Sequence, residues 1–213
     1  MTMRVYGDLA SGNCLKVKFT ADHLGLPYDW IPVDLMKGET RAKSFLAKNR
    51  FGEVPLVEFE DGRTLAQSNA IIRYLARDSA LLPKDVFAQA KVDEWLFWEQ
   101  YSHEPYVAVA RFQMVYLGKT LEEREARVVE RAEKALGVLE EALSGRTYLV
   151  GDELTVADIS LLAYTRLAHE GGFVLSHRPA IRKWIARCES DLAIATNISS
   201  QQPAAAVGGA RHG

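Results

Sequence analysis

The segment Asp8-Leu9-Ala10-Ser11-Gly12-Asn13-Cys14 joins a strand-like Val5-Tyr6-Gly7 to the start of a helix, so the Ser11 hydroxyl falls beside unpaired helix N–H groups. That end of a helix carries a partial positive charge and favours an anion. A hydroxyl there can donate a hydrogen bond to an anion, or it can simply cap the helix. Tyr6 ends the strand and offers a second hydroxyl. Asn13 adds an amide that can reach a ligand or support the turn. Cys14 follows Ser11 by three residues, so Ser11 holds the place of the first cysteine in a Cys-x-x-Cys redox motif. Cys14 also lies on the apolar stripe of its helix, which argues for a buried, inert thiol.

Two further segments suit ligand binding. Val54-Pro55 precedes a strand. A cis bond there would let Val54 present both its N–H and its C=O to a ligand, and a trans bond would mark an ordinary strand start. Gln67-Ser68 open a helix, where Ser68 can offer its N–H and hydroxyl to a carboxylate and Gln67 its amide. Tyr106, Arg111, Phe112 and Tyr116 lie in an aromatic-rich helical stretch that suits either a pocket wall or a core. His103-Glu104 has no third ligand near it in sequence, so no metal is expected.

The elements that must position these residues change character along the chain. Cys14, Val17, Ala21 and Leu24 form an amphipathic stripe that Gly25 and Pro27 stop. Residues 28–33 read as a strand, at a sheet edge because Pro32 cannot donate to a ladder. Asp61-Gly62 between Leu56–Phe59 and Arg63–Leu65 signals a hairpin. Ala70, Ile71, Tyr74 and Leu75 give a helix ending near Asp78. The order β-α-β, then β-β-α, implies a parallel pair with a crossover. From Val86 onward the pattern is helical, with Pro105 expected to bend or break the helix that contains it. Val129, Ala132, Leu136, Leu139 and Leu143 mark one clean stripe that Gly145 stops. Thr155–Asp158 has capping-box spacing, with Leu154 and Ile159 placed for a hydrophobic staple. Arg178-Pro179 opens a last helix carrying Ile181, Trp184 and Ile185. The expected organisation is α/β in residues 1–80, a linker at 81–86, an all-helical unit at 87–198 and a flexible tail at 199–213.

The 213 residues carry 26 Lys+Arg against 28 Asp+Glu, a net charge of −2. That balance supplies no bulk attraction for a nucleic acid. Two cysteines are too few for a disulfide framework or a cysteine-rich zinc site. No apolar run is long enough to span a bilayer, and the N-terminus lacks a signal-peptide core, so a reducing cytoplasm is the expected compartment.

In their order, the Ser11 segment, Asn49-Arg50-Phe51-Gly52-Glu53-Val54-Pro55, Gln67-Ser68-Asn69-Ala70-Ile71 and Leu154-Thr155-Val156-Ala157-Asp158 resemble the glutathione transferase family of the cytosolic type. The serine-containing first turn is most similar to its serine-type, theta-like bacterial branch. The resemblance implies a thioredoxin-like N-terminal domain followed by an all-helical C-terminal domain. It implies glutathione as co-substrate, a small apolar electrophile as second substrate, no metal, and a homodimer. It gives Ser11 the role of donating a hydrogen bond to the glutathione sulfur, with Tyr6 and Cys14 as alternatives. It implies a cis Val54–Pro55 bond whose backbone pairs with the cysteinyl unit. Gln67 and Ser68 would hold the γ-glutamyl end, and Asn13 would contact the ligand near the sulfur. Relatives often carry His or Lys where this chain has Thr40-Arg41 and Glu53, so the glycyl carboxylate is assigned to Arg41, with Lys37 and Arg50 as alternatives. Tyr106, Arg111, Phe112 and Tyr116 would line the electrophile pocket. A non-catalytic binding module and a glutathione-dependent peroxidase or thiol-disulfide oxidoreductase are the rival readings.

Overall fold

The computed structural model describes residues 2–194. The expected tail at 199–213, and residues 195–198 of the expected helical unit, lie outside the described residues.

Strand β1 (Met3–Gly7), helix α1 (Gly12–His23) and strand β2 (Tyr28–Pro32) form a β-α-β unit with parallel strands. After the one-turn helix α2 (Lys43–Leu46), β3 (Leu56–Glu58) and β4 (Thr64–Ala66) make an antiparallel hairpin, and α3 (Ser68–Leu75) follows. The sheet order is β2-β1-β3-β4, with β3 antiparallel to β1. This is a thioredoxin-like arrangement. β2 takes the edge, where the missing N–H of Pro32 costs no ladder bond. The hairpin turns at Asp61-Gly62: Asp61 accepts from the Arg63 N–H at 3.0 Å and Gly62 adopts a φ of +80°.

Strand alternation divides β1. Met3, Val5 and Gly7 are buried on the helix side. Tyr6 points the other way, onto the small cluster of Val33, Phe45 and Leu56. A Cβ on Gly7 would lie 2.9 Å from the Trp30 ring and 3.0 Å from the Cys14 sulfur, so only glycine lets α1 pack this close.

Helix α1 buries more than its predicted stripe. Cys14, Val17 and Ala21 are buried, but so are Lys16, Phe19 and Thr20. The reason is that α1 is packed against α3 and also against α7 (Val156–Thr165) of the helical half.

The helical half comprises α4 (Val86–Trp98), α5 (Glu104–Val115), α6 (Ala126–Leu143), α7 and α8 (Pro179–Asp191). The break expected at Pro105 takes a different form. Residues Glu99–His103 wind as a π-helical turn that joins α4 to α5, and Pro105 sits in the first turn of α5. A proline ring collides with the carbonyl four residues earlier, and the wider winding removes that collision without ending the helix. On α6 the stripe is as predicted except at its start, where Val128 is buried and Val129 only half-buried. Gly145 follows at a φ of +74°.

Every residue of α7 is buried. Its N-terminus has the predicted capping box between Thr155 and Asp158. Asp158 does more than cap: one oxygen accepts from the Leu149 N–H at 3.0 Å and the Trp184 indole at 2.9 Å, and the other from the Thr155 N–H and hydroxyl, both at 3.0 Å. This carboxylate therefore ties the 148–150 segment and α8 to α7. Burial nonetheless pushes its carboxyl up. Among the described residues, no helix is long and apolar enough to cross a membrane.

Asp158→Ala leaves four donors unpaired in the core, and we expect it to lower stability by about 3–5 kcal/mol in urea unfolding at fixed protein concentration. Asp158→Asn keeps part of the acceptor set and loses roughly half as much.

Candidate functional site

A cleft of about 330 Å³ opens between the two halves. The β1–α1 turn contributes Ser11 and Asn13, and the β2–α2 connection contributes Leu35. The segment before β3 contributes Asn49, Gly52, Glu53, Val54 and Pro55. Gln67 and Ser68 stand at the start of α3, and Gln100 and Glu104 come from the π-helical turn and α5.

Local structure fixes each group. Ser11 has the extended backbone of an N-cap, yet its side chain makes no capping bond; its hydroxyl lies within hydrogen-bond reach of the Tyr164 hydroxyl and the Cys14 thiol. The Val54–Pro55 bond is cis. Neither the N–H nor the C=O of Val54 takes a hydrogen bond among the described residues. Asn49 is 3% exposed and braces this segment, donating to the Glu53 carbonyl at 2.7 Å and accepting from the Phe51 N–H at 3.1 Å. Gln67 holds a φ of +69°, a conformation that strains any side chain other than glycine and that turns β4 sharply into α3. Ser68 donates to Asn13 Oδ1 at 3.0 Å, and Asn13 Nδ2 donates to Glu104 at 3.3 Å, linking both halves across the cleft floor. Burial, reinforced by the charge of Glu99, pushes the Glu104 carboxyl up. The lining contains two carboxylates, Glu53 and Glu104, and no lysine or arginine.

The comparisons with known proteins agree with this geometry. The glutathione S-transferase N-terminal domain family matches residues 10–78, and the glutathione S-transferase C-terminal domain family matches residues 97–191. The chain belongs to the glutathione transferase family. It is 33% identical to glutathione S-transferase PM239X14 of Arabidopsis thaliana, over 86% of this chain and 90% of that one. It is 31% identical to glutathione S-transferase theta-3 of Mus musculus, over 90% of this chain and 84% of that one. A crystal structure of glutathione S-transferase from Pseudomonas fluorescens superposes with a TM-score of 0.86 at 49% identity, covering 88% of this chain and 94% of that one. The plant and theta-type relatives match almost equally, so these likenesses fix the family and not the branch.

In this glutathione transferase the predicted residues separate into three groups. Ser11, Asn13, Val54, Pro55, Gln67 and Ser68 meet in the cleft. The Gln67 amide donates to Glu53 Oε2 at 3.2 Å. Arg41 is exposed and stands at the rim: its Nη1 lies 3.0 Å from where a Cβ on Gly52 would be. Lys37 pairs with Asp34 at 3.1 Å, and neither it nor Arg50 lines the cleft.

Tyr6 and Cys14 stand outside the cleft. The Tyr6 hydroxyl donates to Glu58 at 2.6 Å on the far face of the sheet. Cys14 is wholly buried, its sulfur accepting from the Asp8 N–H at 3.4 Å. Burial pushes its thiol up to about 11. His103 is also wholly buried. The Thr165 hydroxyl donates to the Leu161 carbonyl, so His103 Nε2 is the donor to Thr165 at 3.0 Å. Burial pushes His103 down to about 4, which keeps it neutral. Among the described residues no His, Cys, Asp and Glu cluster is arranged to hold a metal ion.

The four residues predicted for the second pocket do not line this cleft. Tyr106 is half-buried against the core. Phe112 is 40% exposed and stacks on Tyr116 with ring centroids 5.0 Å apart. Arg111 is not a free cation: it is buried, bonded to Glu170 at 2.6 Å and to the Ala10 carbonyl at 2.7 Å. The Tyr116 hydroxyl donates to Asp8 at 3.1 Å, and burial together with that carboxylate pushes it up to about 12. Asp8 also accepts from the Ala10 N–H at 2.8 Å, and its carbonyl accepts from the Ser11 N–H at 3.0 Å. The helical half thus clamps the turn that carries Ser11. From below, the Tyr164 ring fills the space over Gly12, where a Cβ would come within 2.6 Å.

Leu35, Asn49, Gln100 and Tyr164 were not singled out from sequence, and Glu104 was weighed there only as a metal ligand paired with His103. Only the Asn49–Pro55 motif held a signal, for Asn49; Leu35 reaches the cleft on the β2–α2 connection, and Gln100, Glu104 and Tyr164 come beside the Ser11 turn through packing between the halves.

Arg111→Met removes a charged donor from the turn. We expect amide hydrogen exchange at Ser11 to accelerate by about 10- to 100-fold, read by exchange NMR, while exchange in α6 stays as it was.

Proposed function

We propose that this transferase joins the thiolate of glutathione to an apolar electrophile, with Ser11 donating the hydrogen bond that favours the ionised sulfur. The observation that carries this reading is the meeting, in one cleft, of a serine hydroxyl that makes no capping bond, a Val54 backbone with both polar groups free, and Ser68 at a helix start. A free thiol has a pKa near 8.5, so at neutral pH most of the tripeptide is protonated. A hydroxyl directed at the sulfur, next to the N-terminus of α1, favours the anion and lowers that value. The thiol proton leaves to solvent and Ser11 keeps its own. The thiolate then attacks an electrophilic carbon and displaces a leaving group or opens a ring. Fixing both reactants in one cleft supplies orientation, and the preset donor stabilises sulfur charge without reorganisation.

On this reading Val54 pairs with the cysteinyl unit, Gln67 and Ser68 receive the γ-glutamyl carboxylate, and Asn13 supports the sulfur side. The acidic lining suits the γ-glutamyl ammonium, and Arg41 at the rim is the cation for the glycyl carboxylate. The stacked Phe112 and Tyr116, beside the Asp8–Ser11 turn, form the apolar approach for the electrophile. We place the reaction in a reducing cytoplasm, consistent with two buried free thiols. We also propose a homodimer, supported by the exposure of Phe51 at 53%, Phe97 at 75% and Tyr101 at 84%.

Ser11→Ala is expected to lower kcat/KM for a chloro-dinitro-aromatic by about 10- to 100-fold, and Cys14→Ser to leave it within about threefold. A full-activity Ser11→Ala would remove Ser11 from the chemistry, and loss of activity in Cys14→Ser would favour the thiol-disulfide rival. Sedimentation should give twice the 23.8 kDa chain mass, and Phe97→Glu should shift it toward one.

A further inference from the structure

Lys16 and Glu99 are both wholly buried and form an ion pair at 2.9 Å between α1 and the π-helical turn. Such a pair carries a desolvation cost that two apolar side chains would not. Its surroundings are asymmetric. The same Glu99 oxygen also accepts from Asn69 Nδ2 at 3.1 Å and Gln100 Nε2 at 2.7 Å. Burial pulls the Glu99 carboxyl upward, but the Lys16 ammonium and the Gln100 amide outweigh it and hold it below its ordinary range. Among the described residues the Lys16 ammonium has one other polar contact, the Ser68 hydroxyl at 3.5 Å. Ser68 in turn gives its proton to Asn13 and lines the cleft.

The negative member of the pair is therefore shared among three donors, whereas the positive member faces Ser68. In a low-dielectric interior a charge so placed acts on any anion that Ser68 meets. We propose that Lys16 is a positioning residue that, through Ser68, makes the cleft select a thiol carrying the α-carboxylate of a γ-glutamyl group. The inference rests on the reading of Ser68 as the γ-glutamyl contact. Lys16 never touches the ligand. It fixes the Ser68 hydroxyl so that the proton goes to Asn13, and it supplies the counter-charge that an uncharged serine lacks. Glu99 keeps the lysine ionised and anchors it to the helical half, so selection at one end of the cleft depends on where the π-helical turn stands relative to α1.

The test compares glutathione with two analogues, 4-aminobutanoyl-Cys-Gly, which lacks only that carboxylate, and glutaryl-Cys-Gly, which lacks only the ammonium. The wild-type protein should prefer glutathione over the decarboxylated analogue by at least about tenfold in kcat/KM. In the charge-balanced Lys16→Met/Glu99→Gln variant that ratio should fall to within about threefold, through KM, with the decarboxylated analogue used as well as before. The wild-type preference for glutathione over glutaryl-Cys-Gly should survive in the variant. An unchanged ratio for the decarboxylated analogue overturns the inference, as does a wild-type protein that turns over both thiols equally. A wild-type protein that fails to use glutathione at all instead overturns the proposed function. Should the variant not fold, the 15Nζ resonance of Lys16 in lysine-labelled wild-type protein decides: it should shift on saturation with glutathione and stay still with the decarboxylated analogue, and equal shifts overturn the inference.

Discussion

The burial of α1 on two sides is the constraint on which the rest of the molecule depends. A helix that packs only on its own sheet would leave the Ser11 turn loose and its first residues in water. Here α7 presses against the opposite side, and the contact is possible because Gly12 has no Cβ to collide with Tyr164. That closeness commits the thioredoxin-like half to the helical half. The cleft then forms where the two surfaces diverge, with the N-terminus of α1 at its base.

Packing on both sides forces polar groups inside, and the molecule meets this by pairing across the boundary between halves. Arg111 reaches from α5 to the Ala10 carbonyl, Asn13 reaches from α1 to Glu104, and Asn69 receives the Ser160 hydroxyl at 2.7 Å. Each bond satisfies a group that would otherwise be desolvated without compensation. Each also ties the placement of a helix in one half to a cleft residue, or to the immediate neighbour of one, in the other: Ala10 precedes Ser11 and Asn69 follows Ser68. The site is accordingly a property of the interface more than of either half.

Much of this was legible in the sequence where local rules apply. Pro32 announced an edge strand, Asp61-Gly62 a hairpin, and Thr155 with Asp158 a capping box, because each depends on neighbours in the chain. The residues that meet in the cleft were found because their motifs sit at element starts, where backbone groups are free. Arg111 read as a possible pocket cation because charge in an aromatic helix has no local sign of its partner, and that partner lies 59 residues away at Glu170. Lys16 was hidden for a related reason: a helix buried on both faces has no polar side to betray a buried lysine. Pro105 signalled a disturbance and not its form, since the choice between a kink, a break and a wider turn is made by what packs around it.

The π-helical turn inserts what amounts to one additional residue into an otherwise continuous rod. Ordinary winding advances each residue by about 100°, so rewinding Glu99–His103 as ordinary helix with every residue kept would swing all of α5 by that angle about its axis. Glu104, Arg111 and Tyr116 would then leave their partners together, although none of them had been altered. The phase of one rod relative to the other is in this sense a single adjustable coordinate, and the position of the Phe112–Tyr116 stack and the clamp on the serine turn are both read from it.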